Sequence, residues 1–264
     1  MSKSTADKVK DYYAARAPVY DETAGYEDPA AERLRGPIKA RYQRLLRGQS
    51  VLEIACGTGY WTEVICKTAK SVLATDVNPS MISIARKRLA LAENVQFQVA
   101  DAYSLGSVQG GFSAAFAVWW WSHIPKSLLS KFLDALHSKL QAGAFVFFVD
   151  QLPTAYAAMN RRQIGTGDLV EDRVLPGGAR FQVVKNFPTE QEILSLLVDR
   201  AAKILYCEYP EEQNWSLCYT VTQRPANPDR GGRLLVVSHT DRRGRLRIIS
   251  ARSATAHERK RHEA

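Results

Sequence analysis

The sequence predicts an α/β fold in which a mainly parallel sheet is covered by helices on both faces. Short, almost wholly apolar runs recur up to Asp150, the signature of strands buried on both sides. Helix-length amphipathic segments separate these runs, and parallel strands need such crossovers. A glycine-rich turn joins the first run to the segment that follows it.

In chain order, residues 6–22 and 28–46 read as N-terminal helices with aromatic and aliphatic side chains on one face, the second interrupted by Gly36-Pro37. Strand 50–55 leads to helix 59–70, and strand 71–76 to helix 79–91, which has Pro79 in its first turn. Strands follow at 95–100 and 112–118. Helix 126–140 presents Leu129, Phe132, Leu133 and Leu136 on one side, before a strand at 144–150. Residues 169–185 then look like a hairpin turning at Pro176-Gly177-Gly178. Helix 189–201 has Thr189 as N-cap and Glu192 at capping-box spacing. Strands at 203–208 and 215–221 complete a domain expected to span 1–221. A Pro/Gly-rich linker at 222–232 leads to an appendage at 233–264, with strand-like runs at 233–239 and 246–250 and a charged helix at 251–263.

With 45% hydrophobic and 24% charged residues, the composition is that of an ordinary globular protein. The segment Met1–Lys10 is polar, and no run approaches the roughly 18 apolar residues of a membrane helix, so a cytoplasmic location is expected. Cys56, Cys66, Cys207 and Cys218 form no C-x-x-C pair and have no His at zinc-ligand spacing, which favours packed thiols over a metal site. The net charge is +9, but residues 222–264 hold eleven Lys and Arg against four Asp and Glu. The basic character therefore belongs to the tail and gives no reason to assign nucleic acid to the main domain.

The sharpest signal is Val51-Leu-Glu-Ile-Ala-Cys-Gly-Thr-Gly59, between the first strand and the first crossover helix. Such a turn brings backbone close to a ligand and points free N–H groups at it. Asp76 ends the second strand, where a carboxylate can accept both hydroxyls of a ribose. Asp101 ends the third, where it can accept from an adenine amine. A dinucleotide site wants a further glycine where Thr62 stands, and Glu53 would repel a pyrophosphate. Glu53 suits a ligand with a cationic amino group, such as S-adenosylmethionine.

Over roughly residues 10–155 these motifs, with Thr75-Asp-Val-Asn-Pro-Ser-Met81, Ala100-Asp-Ala102 and the fourth strand running to Trp119, resemble the class I S-adenosylmethionine-dependent methyltransferases. Ala55 stands where many members have the first glycine of the turn. The resemblance implies a Rossmann-like, doubly wound seven-stranded sheet whose last strand is antiparallel, under N-terminal lid helices. It implies S-adenosylmethionine as cofactor and methyl transfer to a small-molecule acceptor by in-line displacement. Alignment of the reactants then does much of the work, and no nucleophilic residue is needed. It further implies that the turn at Ala55, Gly57 and Gly59 cradles the methionine moiety beside Glu53, that Asp76 with Val77 holds the ribose, that Met81 packs on adenine, and that Asp101 with the Ala102 N–H reads the adenine edge. Tyr12, Tyr13 and Tyr20-Asp21 look like the lid, with Tyr20 expected on the cofactor and Tyr12 in the acceptor pocket.

Three successive tryptophans after the fourth strand cannot all face inward. Trp119 falls at a cofactor-contacting position, while Trp120 and Trp121 are expected to wall the acceptor pocket. His123 is either a general base for the acceptor or a packed histidine at a helix start. The insert 151–186 carries Arg161, Arg162, Asp168, Glu171, Asp172 and Arg173, as acceptor contacts or as a solvated rim. The tail from Leu234 to Arg259 resembles the C-terminal half of the BrnT family of ribonuclease toxins, through its Ile-Ile-Ser-Ala-Arg run. That family's N-terminal half has no counterpart here, which implies a fusion remnant with a basic surface weakly attractive to RNA. The competing expectations are an RNA-directed methyltransferase that uses this tail and a cofactor-binding protein without turnover.

Overall fold

The computed structural model describes residues 3–153, 160–208, 214–222, 235–242 and 245–253. Its main sheet contains β1 (Ser50–Ile54), β2 (Ser71–Asp76), β3 (Val95–Val99), β4 (Phe112–Val118), β5 (Leu140–Gln151), β9 (Ala201–Glu208) and β10 (Asn214–Val221). These run in the order β3-β2-β1-β4-β5-β10-β9. Strands β1 to β5 are mutually parallel, and β10 is antiparallel to both β5 and β9. The order reverses at β1, so the carboxyl ends of β1 and β4 open the crevice where such sheets bind ligands.

Alternating side chains build two cores. In β4, Ala114 and Phe116 face one cluster with Phe147 and Val149 of β5, Tyr42 and Leu46 from α3 (Pro29–Leu45) and its C-cap, and Trp61, Val64 and Ile65 of α4 (Tyr60–Ile65). Ala115 and Ala117 face the other, with Phe132, Leu133 and Leu136 of α6 (Leu129–His137) and Ile193 and Leu197 of α7 (Glu190–Leu197). The period of two places successive residues on opposite faces, and both faces are apolar because helices cover both. The helix α5 (Pro79–Arg88) contributes Ile82 to the first cluster.

The insert forms a second sheet, β6 (Arg161–Gln163), β7 (Leu169–Val174) and β8 (Arg180–Val184), where the sequence signals only a hairpin. A third, smaller core joins it to α1 (Thr5–Arg16): Val9 and Tyr12 pack on Val170, Val183 and Val184. The N-terminal helix expected over 6–22 breaks at Pro18 into α1, a 3-10 turn (Ala17–Val19) and the single-turn α2 (Tyr20–Thr23). Conversely, α3 runs unbroken through Gly36-Pro37. The helix expected from Lys126 begins as a 3-10 turn and stops at His137, because Leu140 already starts β5. Thr189 caps α7 in a capping box with Glu192, at the expected spacing.

At the far edge, a hairpin of β11 (Leu235–Arg242) and β12 (Arg245–Ser253) extends the sheet, with Ala251 and Arg252 opposite Ile204 and Lys203 of β9. Residues 251–253 thus close a strand instead of opening the expected helix, whose remainder lies outside the described residues. Among the described residues, no helix is long and apolar enough to cross a membrane.

Candidate active site

The β1–α4 turn is left-handed at Ala55, Gly57 and Gly59. At Gly59, φ is +81°, and a Cβ would come within 3.0 Å of Ala85 of α5 and of Leu89 at its C-cap, so only glycine lets the two helices approach. The turn is fastened to the neighbouring strand by the Cys56 N–H donating to the Thr75 carbonyl at 2.9 Å. Asp76 accepts from the Gly57 N–H at 3.0 Å and from the Asn78 N–H at 2.8 Å. Burial raises its carboxyl to about 6, which leaves it ionised at neutral pH. Each oxygen keeps a lone pair for a further donor. Asp101, exposed beyond β3, accepts from the Tyr103 N–H at 2.9 Å.

These groups line one cavity of about 320 Å³. It brings together Tyr20, Ala55, Gly57, Asp76, Val77, Met81, Asp101, Ala102, Trp119, Trp120 and His123 of the residues singled out from the sequence. Helix α1 closes one side through Ala6, Val9, Lys10 and Tyr13.

Four expected site residues are not among those lining this cavity. Glu53 is buried behind the turn, accepts from the Thr62 hydroxyl at 2.7 Å, and is raised to about 8 by desolvation. It therefore braces the loop from within and stands outside the cavity wall. Gly59 lies at the α5 contact, one step beyond the wall. Trp121 belongs to the core, edge-on to Phe148 and Trp215, because a 3-10 turn at 121–123 rolls it inward. Tyr12 faces the insert, packed on Phe181, and its neighbour Tyr13 faces the cavity instead.

Tyr13 meets His123 across the cavity, with its hydroxyl 2.7 Å from Nε2. His123 Nδ1 lies 2.7 Å from the Val184 carbonyl, which has only lone pairs to offer, so Nδ1 carries the ring proton and Nε2 accepts from Tyr13. Burial, then the charges of Lys185, Arg173 and Arg16, hold His123 well below its usual value, as a neutral imidazole. Burial also raises the Tyr13 phenol, which stays protonated.

Behind this pair lies a buried polar shell. Glu171 is bound by Arg161 at 2.8 Å and by Arg173 at 2.8 Å. Lys185 donates to the Ser122 hydroxyl at 2.8 Å and to Gln151 at 2.7 Å, with Asp150 at 3.6 Å. Desolvation lowers Lys185 to about 8. Arg16 lies 4.7 Å over the Tyr20 ring. Arg16, Arg173 and Lys185 are near enough to His123 for their charges to act on it, while Glu171 and Asp150 pair with cations of this shell. Of the remaining insert charges, Asp168 is buried as an acceptor for Lys126 and Asn186, whereas Arg162 and Asp172 form an exposed pair.

Trp119 has φ +56°, an unusual conformation for a bulky side chain. Its N–H donates to Val149 at 2.7 Å, its indole N–H to Asn214 at 3.2 Å, and its ring stacks 6.2 Å from Tyr26. The surroundings hold the strain in place, as is common in binding sites. The sequence reading missed the pairing of Tyr13 with His123 and the roles of Lys185 and Asp150. Lone polar residues at strand ends carry no spacing signal. A helical-wheel choice between Tyr12 and Tyr13 was the one available clue.

The strand order, the left-handed glycine turn and the acid-lined rim are those of a Rossmann-like sheet with a ligand site at its topological switch point. Residues 51–143 match the family model described as a methyltransferase domain. The chain is 35% identical over 75 residues to phosphoethanolamine N-methyltransferase 1 of Caenorhabditis elegans, covering 28% of this chain and 16% of that protein. It is 28% identical over 116 residues to a ubiquinone biosynthesis O-methyltransferase of Xanthomonas campestris, covering 42% of this chain and 48% of that protein. The matches therefore span less than half of those relatives. The solved DhpI-SAM-HEP complex aligns with a TM-score of 0.64 at 26% identity, covering 85% of this chain and all of that one. A Haemonchus contortus phosphoethanolamine N-methyltransferase 1, solved with phosphoethanolamine and S-adenosylhomocysteine, shares the fold with a TM-score of 0.57 at 15% identity, over 86% of this chain and 51% of that one.

Proposed function

We propose that this chain transfers the methyl group of S-adenosylmethionine to an oxygen or nitrogen nucleophile of a small acceptor that carries an anionic group. The observation that carries this reading is one cavity with the Asp76 and Gly57 rim on one side and the Tyr13–His123 pair on the other. In this reading Asp76 accepts from the ribose hydroxyls, Met81 and Ala102 flank the adenine, Asp101 accepts from its amine, and the turn at Ala55 and Gly57 lies along the methionine portion. When bound, the cofactor supplies an activated methyl on sulfur. The chain's own residues align the nucleophile and move its proton. Tyr13 accepts that proton on its oxygen while its hydroxyl proton passes to Nε2 of His123, which is neutral and oriented to take it.

The anionic group is inferred from Arg16, Arg173 and Lys185, whose charges reach His123. The phosphoethanolamine named for two of the similar proteins points the same way. The hairpin of 235–253 is read as an appendage that the cavity does not require. Formation of S-adenosylhomocysteine is measured over a panel of hydroxyl and amine acceptors with and without a phosphate or phosphonate. Turnover confined to the anionic members, abolished by Asp76→Ala and lowered roughly 100-fold or more by Tyr13→Phe, is expected. Turnover with neutral acceptors alone rejects the anionic group.

A further inference from the structure

The wall of the cavity contributed by Tyr20 stands on a support too short to hold itself. Helix α2 is four residues long, a single turn whose nucleation cost cannot be recovered by its own hydrogen bonds. Its position must come from tertiary contacts, and two of these are made by the residue after Tyr20. One carboxylate oxygen of Asp21 accepts from the Thr58 hydroxyl at 2.5 Å, and the other is paired with Arg88 at the end of α5. Thr58 lies between Gly57 and Gly59, the two left-handed glycines of the turn, and is 1% exposed. Neither Asp21 nor Thr58 lines the cavity, so both act through what they hold.

The contacts continue inward. The Tyr20 ring lies 6.0 Å from that of Tyr13, whose hydroxyl meets His123. On the other side, Arg35 of α3 donates to the carbonyls of Ala24 at 3.2 Å and Gly25 at 2.6 Å, which fixes the exit of the same segment.

We infer that Asp21 is a positioning residue for cofactor binding, clamping the one-turn segment that carries Tyr20 onto the glycine turn so that the tyrosine wall closes over that turn in its binding geometry. This rests on the reading of the cavity as an S-adenosylmethionine site. This part-buried hydrogen bond is made to a carboxylate, and such bonds are stronger than those between neutral groups. If part of it is realised only with the wall closed, its loss appears in cofactor affinity.

The test is calorimetric titration of S-adenosylhomocysteine into the full chain and into Asp21→Asn, Thr58→Val, Thr58→Ser and the Asp21→Asn/Thr58→Val double variant. Asp21→Asn and Thr58→Val are each expected to weaken binding about tenfold, or about 1.4 kcal/mol. Thr58→Ser keeps the hydroxyl and is expected to bind like the parent. Asp21→Asn also loses the charge pair with Arg88, so the double variant is expected to bind more weakly than either single, but by less than the two losses added. If Asp21→Asn does not fold, the Thr58→Val and Thr58→Ser pair decides by itself. Parental affinity in both Asp21→Asn and Thr58→Val overturns the inference while leaving the cofactor reading intact. A parent chain that does not bind S-adenosylhomocysteine overturns the cofactor reading and this inference with it.

Discussion

Ala55 and Glu53 show how single side chains are fitted to the turn. Ala55 has φ +53°, a left-handed conformation that costs an alanine about 1–2 kcal/mol relative to the right-handed form. Glycine relieves that strain but gains freedom in the unfolded chain, so Ala55→Gly is expected to stabilise by up to about 1 kcal/mol. A rise in melting temperature checks this, and a fall contradicts it. Glu53 is raised by burial to about 8, against 4.5 in an unstructured chain. Between those values the folded protein keeps a proton that the unfolded chain releases, so this group's contribution to stability is full below pH 4.5 and falls as pH rises towards 8. The slope is at most about 1.4 kcal/mol per pH unit. Glu53→Gln retains an acceptor for Thr62 without an ionisable group. Its melting temperature is therefore expected to gain on the parent from about pH 5 to pH 8 and then level off. A difference that does not change with pH contradicts the burial of an ionisable acid there. The sequence placed a carboxylate at 53 beside the turn, but its side of the wall depends on Thr62, which arrives from the next helix.

Elements that look separate in the sequence are joined in the fold. Helix α1 and the β6–β8 sheet share their own small core, apart from the two that flank the main sheet. Tyr12 is its largest buried side chain, set edge-on to Phe181 with Arg173 5.3 Å from its ring. Tyr12→Ala is expected to cost about 3 kcal/mol and to raise hydrogen exchange in both 5–16 and 161–184, because each element covers the other's apolar face. Exchange that rises in α1 alone means the insert stands by itself. Periodicity gave α1 an apolar face and the insert its turn residues at Pro176-Gly177-Gly178, so both were legible as elements. Their mutual packing was not, since no local pattern says which face of a helix meets a sheet more than a hundred residues away.

For the molecule as a whole, the strand order places the crevice at β1 and β4, far from the β9 edge that receives the β11–β12 hairpin. A chain ending at Thr222 is therefore expected to bind S-adenosylhomocysteine with parental affinity while exposing the outer edge of β9, with some gain in self-association. Calorimetry and sedimentation check the two parts, and lost affinity shows that the hairpin supports the site. By itself, the sequence determined the alternation of strands and crossovers, the turn at 55–59 and the acids at 76 and 101, because strand period, glycine freedom and strand-end position are local properties. Only the tertiary structure decided that Tyr13 and not Tyr12 meets His123, that Trp121 is core, that Glu53 stands behind the wall, and that cations gather at one end. Each of these depends on side chains brought together across the fold, and their electrostatics are set by burial, which no stretch of sequence contains.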